Sequence, residues 1–165
     1  GVKELDVTKP DGTVLVKGLN LELTKGDSLL VKGESGLGKS TLLRAFARLW
    51  PYAKGNILFP KDSKVLFLSQ KPYMPLGTIK EAIFYPSPVD EKVDVASLLD
   101  YVGLNYLKDK LDLIDNWSHV LSLGEQQRIA FLRVVVNKPD VLFMDEASSA
   151  LDITNENKQI GRAHV

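Results

Sequence analysis

One glycine-rich segment near the start of the chain constrains its fold more than any other feature. The segment reads Gly33-Glu34-Ser35-Gly36-Leu37-Gly38-Lys39-Ser40. It fits the pattern G-x-x-x-x-G-K-[ST], whose glycines let the backbone turn so tightly that several N–H groups point at a chain of phosphates. An apolar run at 28–31 precedes it, and apolar residues recur at helical spacing over 42–50. The sequence therefore predicts a buried strand, a phosphate-binding loop and a helix that ends at Pro51.

The end of this loop has a defined chemistry. The N-terminus of the following helix adds a partial positive charge that favours phosphate. Lys39 is predicted to reach the β- and γ-phosphates of a nucleotide, and the Ser40 hydroxyl to ligate Mg²⁺. We expect ATP to be bound by the eight residues of the segment together with Thr41. A glycine-rich turn without a ligand is the alternative for the motif taken alone.

The rest of the chain alternates strand patterns with helix patterns. Short segments at 4–7, 13–16 and 19–23 predict strands, and apolar runs at 65–68 and 141–144 predict strands buried on both faces. One helix is predicted to begin at Thr78 and another near Ser122. A third helix, marked by apolar residues at 95, 98, 99 and 102, is predicted to end at Gly103. We expect an α/β fold with a P-loop core: a parallel sheet flanked by helices, an N-terminal antiparallel β part and an inserted helical subdomain at about 72–136.

Two acids follow the last apolar run. Asp145 and Glu146 come directly after 141–144, which looks like a Walker B motif. The strand would carry Asp145 to the carboxyl edge of the sheet, where it can hold the Mg²⁺ shell, and Glu146 would orient or deprotonate the attacking water. Two solvated acids at the end of a buried strand are the alternative, but the phosphate-binding loop predicts a metal and this motif supplies its carboxylate.

Composition excludes several other classes of protein. Lys and Arg number 21 and Asp and Glu number 21 in 165 residues, a balance that does not favour nucleic acid as a partner. There is no cysteine, so disulfides, thiolate metal sites and cysteine nucleophiles are excluded. The hydrophobic fraction of 44% is that of a globular domain, and no apolar stretch approaches the ~18 residues of a membrane span.

A third motif carries a resemblance to a known family. The segment Leu121-Ser122-Leu123-Gly124-Glu125-Gln126-Gln127-Arg128 resembles the signature L-S-G-G-Q of the ATP-binding-cassette (ABC) ATPases. Leu121, Ser122 and Gly124 match, whereas Leu123 and Glu125 depart from the commonest form. Ser122 and Glu125 also form the capping-box pattern S-x-x-E, which by itself predicts only the start of a helix. A capped helix N-terminus also favours an anion, so the two interpretations are compatible.

The resemblance implies further site residues and partners. Gln70 looks like the Q-loop glutamine, which in the family touches Mg²⁺ and the attacking water, and residues 149–152 look like the D-loop. The family implies a head-to-tail dimer of two ATPase domains, in which Ser122, Gly124 and Glu125 face the ATP of the opposite subunit. It also implies a transmembrane domain, expected to be fused upstream, and a location on the cytoplasmic face of a membrane, with the bacterial inner membrane expected.

Finer similarity indicates one exporter branch. Residues 70–78 and 117–126 look like the peroxisomal acyl-CoA carriers and their bacterial relatives linked to cobalamin or fatty-acid transport. Two family features are not found: an aromatic residue on an early strand for adenine stacking, and a switch histidine, since only 19 residues follow Glu146. We expect an ATPase domain over 1–159 that is incomplete at its C-terminus, with its core at about 1–71 and 137–159, and a non-native tail at 160–165.

The predicted function is ATP binding and hydrolysis that powers export across a membrane. Lys39, Gln70 and Glu146 are the predicted catalytic residues, and Ser40, Gln70 and Asp145 the predicted Mg²⁺ ligands. Two alternatives stay open: a non-transport ABC ATPase of DNA repair or translation, and a nucleotide-binding module without turnover. The transported substrate is not readable from these residues.

Overall fold

The computed structural model describes residues 1–31 and 38–145, which fall into two compact units. The first lies within residues 1–63, and the second begins at Lys64. Each unit is built around its own sheet. Within the described residues, none of the helices has the length and apolar character that crossing a bilayer requires.

The first unit contains a three-stranded antiparallel sheet in the order β2-β1-β3. Its strands are β1 (Val2–Thr8), β2 (Val14–Leu21) and β3 (Ala53–Ile57). This sheet is the antiparallel β part that the sequence predicts. Two predicted strands, at 13–16 and 19–23, are one continuous strand, and β3 was not predicted because its sequence, Ala-Lys-Gly-Asn-Ile, lacks apolar alternation.

The helix after the phosphate-binding loop is present but shorter than predicted. α1 (Lys39–Phe46) buries Ala45 and Phe46. It ends before position 50 because Arg48 adopts a left-handed φ of 61°, which a continuing helix does not allow. The Trp50 side chain instead donates a hydrogen bond from Nε1 to the backbone oxygen of Thr8 over 2.8 Å.

The strand predicted at 28–31 is wrong. The segment has no regular secondary structure, and Leu30 is 48% exposed. An apolar run becomes a strand only where a neighbouring backbone pairs with its N–H and C=O groups. None of the described strands pairs with this segment.

The second unit contains a parallel pair of strands, as predicted, but the strand at 141–144 is only partly buried at all four positions, so it is not buried on both faces. β4 (Val65–Leu68) and β5 (Val141–Met144) pair in register, with Val65 opposite Val141 and Leu68 opposite Met144. A helical segment separates them in the sequence, which agrees with the predicted α/β fold. Its elements are α2 (Ile79–Phe84), α3 (Val95–Tyr101), a 3₁₀ helix (Asn105–Lys110), α4 (Trp117–Val120) and α5 (Leu123–Asn137).

Side-chain caps fix where these helices begin. The Thr78 hydroxyl accepts from the Glu81 N–H, while the Glu81 carboxylate accepts from the Thr78 N–H, which is the predicted capping box of α2. Helix α3 ends where predicted, because Gly103 follows it with a positive φ of 73°.

The side chain of Trp117, the first residue of α4, is buried. Trp117 is 1% exposed, and its indole N–H donates to the backbone oxygen of Gly77 over 2.9 Å, which joins α4 to the segment before α2.

Helix α5 holds α2 through buried polar side chains. Arg133 donates from Nε to the Ala82 oxygen over 2.7 Å and from Nη2 to the Tyr73 oxygen over 2.5 Å. Asn137 donates to the carbonyl oxygens of Phe84 and Tyr85 at the end of α2. The bonds to Ala82, Phe84 and Tyr85 satisfy carbonyl groups at the end of α2 that have no partner within this short helix, and the bond to Tyr73 holds the segment before it.

Candidate functional site

The described end of the phosphate-binding loop has the geometry that its glycine predicts. Gly38 caps α1 in the left-handed conformation, with φ 83° and ψ 21°. A Cβ at this position would lie 3.0 Å from a methyl carbon of Leu15, so both the backbone angle and the space favour glycine. The first turn of α1 begins with Lys39, Ser40 and Thr41 and contains no acidic residue.

This helix start suits an anion. The first N–H groups of a helix lack intrahelical partners and carry partial positive charge, and no acid in the first turn of α1 offsets it. Residues 33–37, which the sequence assigns to the same loop, lie outside the described residues.

The carboxyl edge of the parallel strand pair gathers two predicted site residues. Asp145 directly follows β5, and its N–H donates to the backbone oxygen of Leu68, the last residue of β4, over 2.9 Å. Gln70 lies two residues beyond β4, at the same edge of the sheet. Asp145 is 4% exposed. Glu146 and the D-loop-like residues 149–152 lie outside the described residues.

The signature-like segment forms the start of α5 through a capping box. The Ser122 hydroxyl accepts from the Glu125 N–H over 3.2 Å, and Oε1 of Glu125 accepts from the Ser122 N–H over 2.9 Å. Gly124 lies in the first turn, where a Cβ would meet no heavy atom within 4 Å. The helix N-terminus is thus fixed by its cap while the space beside Gly124 stays open.

A tyrosine outside the motif completes this cap. Tyr106, on the 3₁₀ helix, donates from its hydroxyl to Oε2 of Glu125. This bond, followed by the one from the Ser122 N–H, lowers the pKa of Glu125 below its usual value. Partial burial and then the Glu125 carboxylate raise the pKa of Tyr106 to about 12. Both shifts favour the state in which the tyrosine keeps its proton and the glutamate is charged.

Helix α5 also contacts the segment that carries Gln70. The Gln127 side chain donates from Nε2 to the backbone oxygen of Gln70 over 2.9 Å. One turn further along, Ala130 packs against Leu66 and Leu68 of β4. The helix that begins at the signature-like segment is therefore joined to the strand that leads to Gln70.

The predicted site residues are distributed between the two compact units. The second unit contains Gln70, Ser122, Gly124, Glu125 and Asp145, whereas Gly38, Lys39, Ser40 and Thr41 belong to the first unit. Sequence reasoning missed Tyr106 and the role of Gln127. Gln127 is adjacent to the motif in sequence, but Tyr106 lies 19 residues before Glu125, and no spacing rule relates a 3₁₀ helix to the cap of a later helix.

Comparisons with known proteins agree with these motifs. The family model described as "ABC transporter" matches residues 16–149. An "Uncharacterized ABC transporter ATP-binding protein" of Haemophilus influenzae is 45% identical over 91% of this chain and 26% of its own length. The human "ATP-binding cassette sub-family D member 3" is 34% identical over 89% of this chain and 24% of its own length.

Solved structures show the same fold. The "Structure of a bacterial Atm1-family ABC exporter with ATP bound" superposes with a TM-score of 0.74 at 22% identity, over 96% of this chain and 32% of that one. The chain thus spans about a quarter of the length of the curated relatives named above.

Proposed function

Because this chain belongs to the ABC transporter family, we propose that it binds and hydrolyses ATP as the nucleotide-binding domain of an exporter. The family match at 16–149 contains every predicted site residue, from Gly33 to Glu146. One structural observation carries the proposal. The strand pair β4–β5 delivers Gln70 and Asp145 to one sheet edge, and Gln127 of the signature helix bonds to Gln70.

Nucleotide binding begins at the N-terminus of α1. The left-handed Gly38 lets the backbone enter the helix so that its first N–H groups face the phosphates. Lys39, the first helical residue, supplies a positive charge to the β- and γ-phosphates. The absence of acidic residues from this turn keeps its field favourable to a tetra-anionic ligand.

The donor set fits Mg²⁺. A serine hydroxyl, an aspartate carboxylate and a glutamine amide offer the oxygen ligands that this hard cation prefers. We assign them to Ser40, Asp145 and Gln70. Asp145 is 4% exposed, and a buried carboxylate is favourable where a cation neutralises it. When bound, Mg²⁺ offsets the negative charge of the phosphates.

Hydrolysis requires a water held in line with the terminal phosphate. Glu146 is proposed to accept the proton of that water, and the Gln70 side chain to orient it. The bond from Gln127 fixes the backbone of Gln70, which limits the directions that its side chain can take. Catalysis by positioning and charge is what phosphoryl transfer mainly requires.

Two partners follow from family membership. We propose that two such domains pair head to tail, so that Ser122 and Gly124 of one face the ATP held by Lys39 of the other. A transmembrane domain is the second partner, which places the ATPase domain on the cytoplasmic face of a membrane, with the bacterial inner membrane proposed. The helical insertion at about 72–136 is the proposed contact region, and the exporter branch is proposed from the similarity to sub-family D.

Nucleotide titration and steady-state hydrolysis test this function together. The wild-type chain is compared with the variants Lys39→Ala, Glu146→Gln and Lys61→Ala. Lys61 is an exposed lysine of the first unit, to which Lys39 also belongs, so Lys61→Ala is the matched control for Lys39→Ala. We expect Lys39→Ala to lose MgATP binding, Glu146→Gln to bind MgATP without hydrolysing it, and Lys61→Ala to match the wild type.

Three outcomes would contradict the proposal. No binding of MgATP by the wild type at millimolar nucleotide would overturn the ATP site. Binding without hydrolysis would favour the alternative of a nucleotide-binding module without turnover. An equal loss of binding in Lys39→Ala and Lys61→Ala would show that bulk charge, and not the helix start, attracts the nucleotide.

A further inference from the structure

Glu125 presents an electrostatic difficulty for the proposed site. It occupies the signature position where the family commonly has a neutral glutamine, so a carboxylate lies in the first turn of the helix that would face a phosphate. Like charges at short distance repel, and a freely moving Glu125 would oppose the ligand. The structure shows how this charge is held.

Both carboxylate oxygens of Glu125 accept a hydrogen bond. Oε1 accepts from the Ser122 N–H over 2.9 Å, and Oε2 accepts from the Tyr106 hydroxyl. These bonds hold the carboxylate on the helix cap. Arg128 is the nearby cation, and its Nη1 is bonded to the backbone oxygen of Val102 over 3.0 Å.

The cap leaves two first-turn donors available. The N–H of Glu125 donates to Ser122 Oγ, and the N–H of Gln126 donates to the Ser122 backbone oxygen. Among the described residues, the N–H groups of Leu123 and Gly124 have no such partner. Leu123 is 46% exposed, and the position beside Gly124 is open. An anion can therefore approach these two N–H groups without displacing the cap.

We propose that Tyr106 is a positioning residue of the signature segment: its hydroxyl holds the Glu125 carboxylate on the cap, away from the phosphate that Leu123 and Gly124 face. This inference rests on the proposed function. Tyr106 has no contact with the nucleotide in this scheme. It acts through Glu125, and its effect depends on Glu125 being charged.

A double-mutant cycle isolates this role. Tyr106→Phe removes the hydroxyl and keeps the ring, and Glu125→Gln removes the charge. Tyr101→Phe, at an exposed tyrosine of α3, is the matched control. Tyr106→Phe is expected to raise the KM for MgATP about fivefold, the scale of one hydrogen bond, with a smaller change in kcat. In the Glu125→Gln background no carboxylate charge is left to hold away from the phosphate, so the same substitution should change KM by less than about twofold.

The outcomes separate the inference from the proposed function. An unchanged KM in Tyr106→Phe, or an equal rise in both backgrounds, overturns the positioning role. A second measurement does not require turnover: the phenolate absorbance of wild type minus Tyr106→Phe reports the Tyr106 titration, which should move to lower pH in Glu125→Gln. An unmoved titration overturns the inference whether or not ATP is hydrolysed, whereas absent hydrolysis with a moved titration contradicts only the proposed function.

Discussion

The side-chain amide of Gln127 donates a hydrogen bond to the backbone oxygen of Gln70 over 2.9 Å. This bond joins helix α5, whose first turn is the signature-like segment, to the residue that follows β4 at the carboxyl edge of the strand pair. A movement of helix α5 can therefore shift the backbone of Gln70, and a movement of Gln70 can shift α5, through this single hydrogen bond.

Replacement of Gln127 by leucine should slow hydrolysis more than it weakens binding. The variant leaves the Gln70 oxygen without this donor, so the Gln70 side chain is held less well. We expect kcat to fall about fivefold, the scale of one hydrogen bond, with little change in the KM for ATP. Gln127→Lys retains an N–H donor and is the rescue variant. Equal kcat in wild type and Gln127→Leu would show that the bond does not position Gln70.

Replacement of Arg133 by methionine should destabilise the second unit. Arg133 is 4% exposed, and its guanidinium donates to the backbone oxygens of Ala82 and Tyr73, which would lose their donor. A buried polar group left unsatisfied costs about 1 to 3 kcal/mol. Urea unfolding should show this loss for Arg133→Met, while Arg44→Met, at an exposed arginine of α1, should stay near wild type. A similar stability for both variants would mean that water replaces the guanidinium.

Replacement of Gly55 by alanine should destabilise the first unit through a backbone clash. A Cβ at Gly55 would lie 2.5 Å from the backbone oxygen of Glu4 and 2.8 Å from Leu5 Cα, at an irregularity in the pairing of β1 with β3. Gly12 also has a positive φ, but a Cβ there meets nothing within 4 Å, so Gly12→Ala controls for backbone strain alone.

The expected difference between these two variants is about 1 to 3 kcal/mol in the free energy of unfolding, the usual cost of forcing extra atoms into a packed site. Thermal or urea unfolding of both variants measures it. Equal stability of Gly55→Ala and Gly12→Ala would contradict the predicted clash. It would mean that β1 and β3 separate near Glu4 at little cost in free energy.

The Tyr106–Glu125 pair predicts a pH dependence of stability at high pH. The folded-state pKa of Tyr106 is raised from 10.0 to about 12, so the contribution of its proton is fully present below pH 10.0 and is lost as the pH rises toward 12. Tyr106→Phe lacks this group. The stability difference between wild type and Tyr106→Phe should therefore decrease between pH 10.0 and about 12.

At low pH the same pair loses its contribution to stability through Glu125. The pKa of Glu125 is lowered, so its contribution is present above its unfolded-state value of 4.5 and is lost as the pH falls through the folded-state value. Denaturant midpoints of wild type and Tyr106→Phe at several pH values measure both effects. A difference that stays constant from acid to pH 12 would show that the hydroxyl does not bond the carboxylate.

Local patterns in the sequence determined the elements whose causes are local. The capping boxes at Thr78 and Ser122 follow from side chains that bond within four residues, and both are present. The apolar runs at 65–68 and 141–144 became the predicted parallel strands. By contrast, the run at 28–31 is not a strand, because an apolar run does not specify its own pairing partner.

The candidate site also has residues that the sequence predicts and contacts that only the structure shows. The motifs predict Lys39, Ser40, Gln70, Ser122 and Asp145 as site residues because each residue type has its own chemistry and a place beside a strand end or helix start. Only the tertiary structure brought Tyr106 to Glu125 and Gln127 to the Gln70 oxygen. These contacts join residues 19 and 57 positions apart, and only the packing of separate helices and strands around a shared core creates such contacts. The sequence thus determined which groups are available for the proposed phosphate chemistry, and the fold decided which side chains hold them in place.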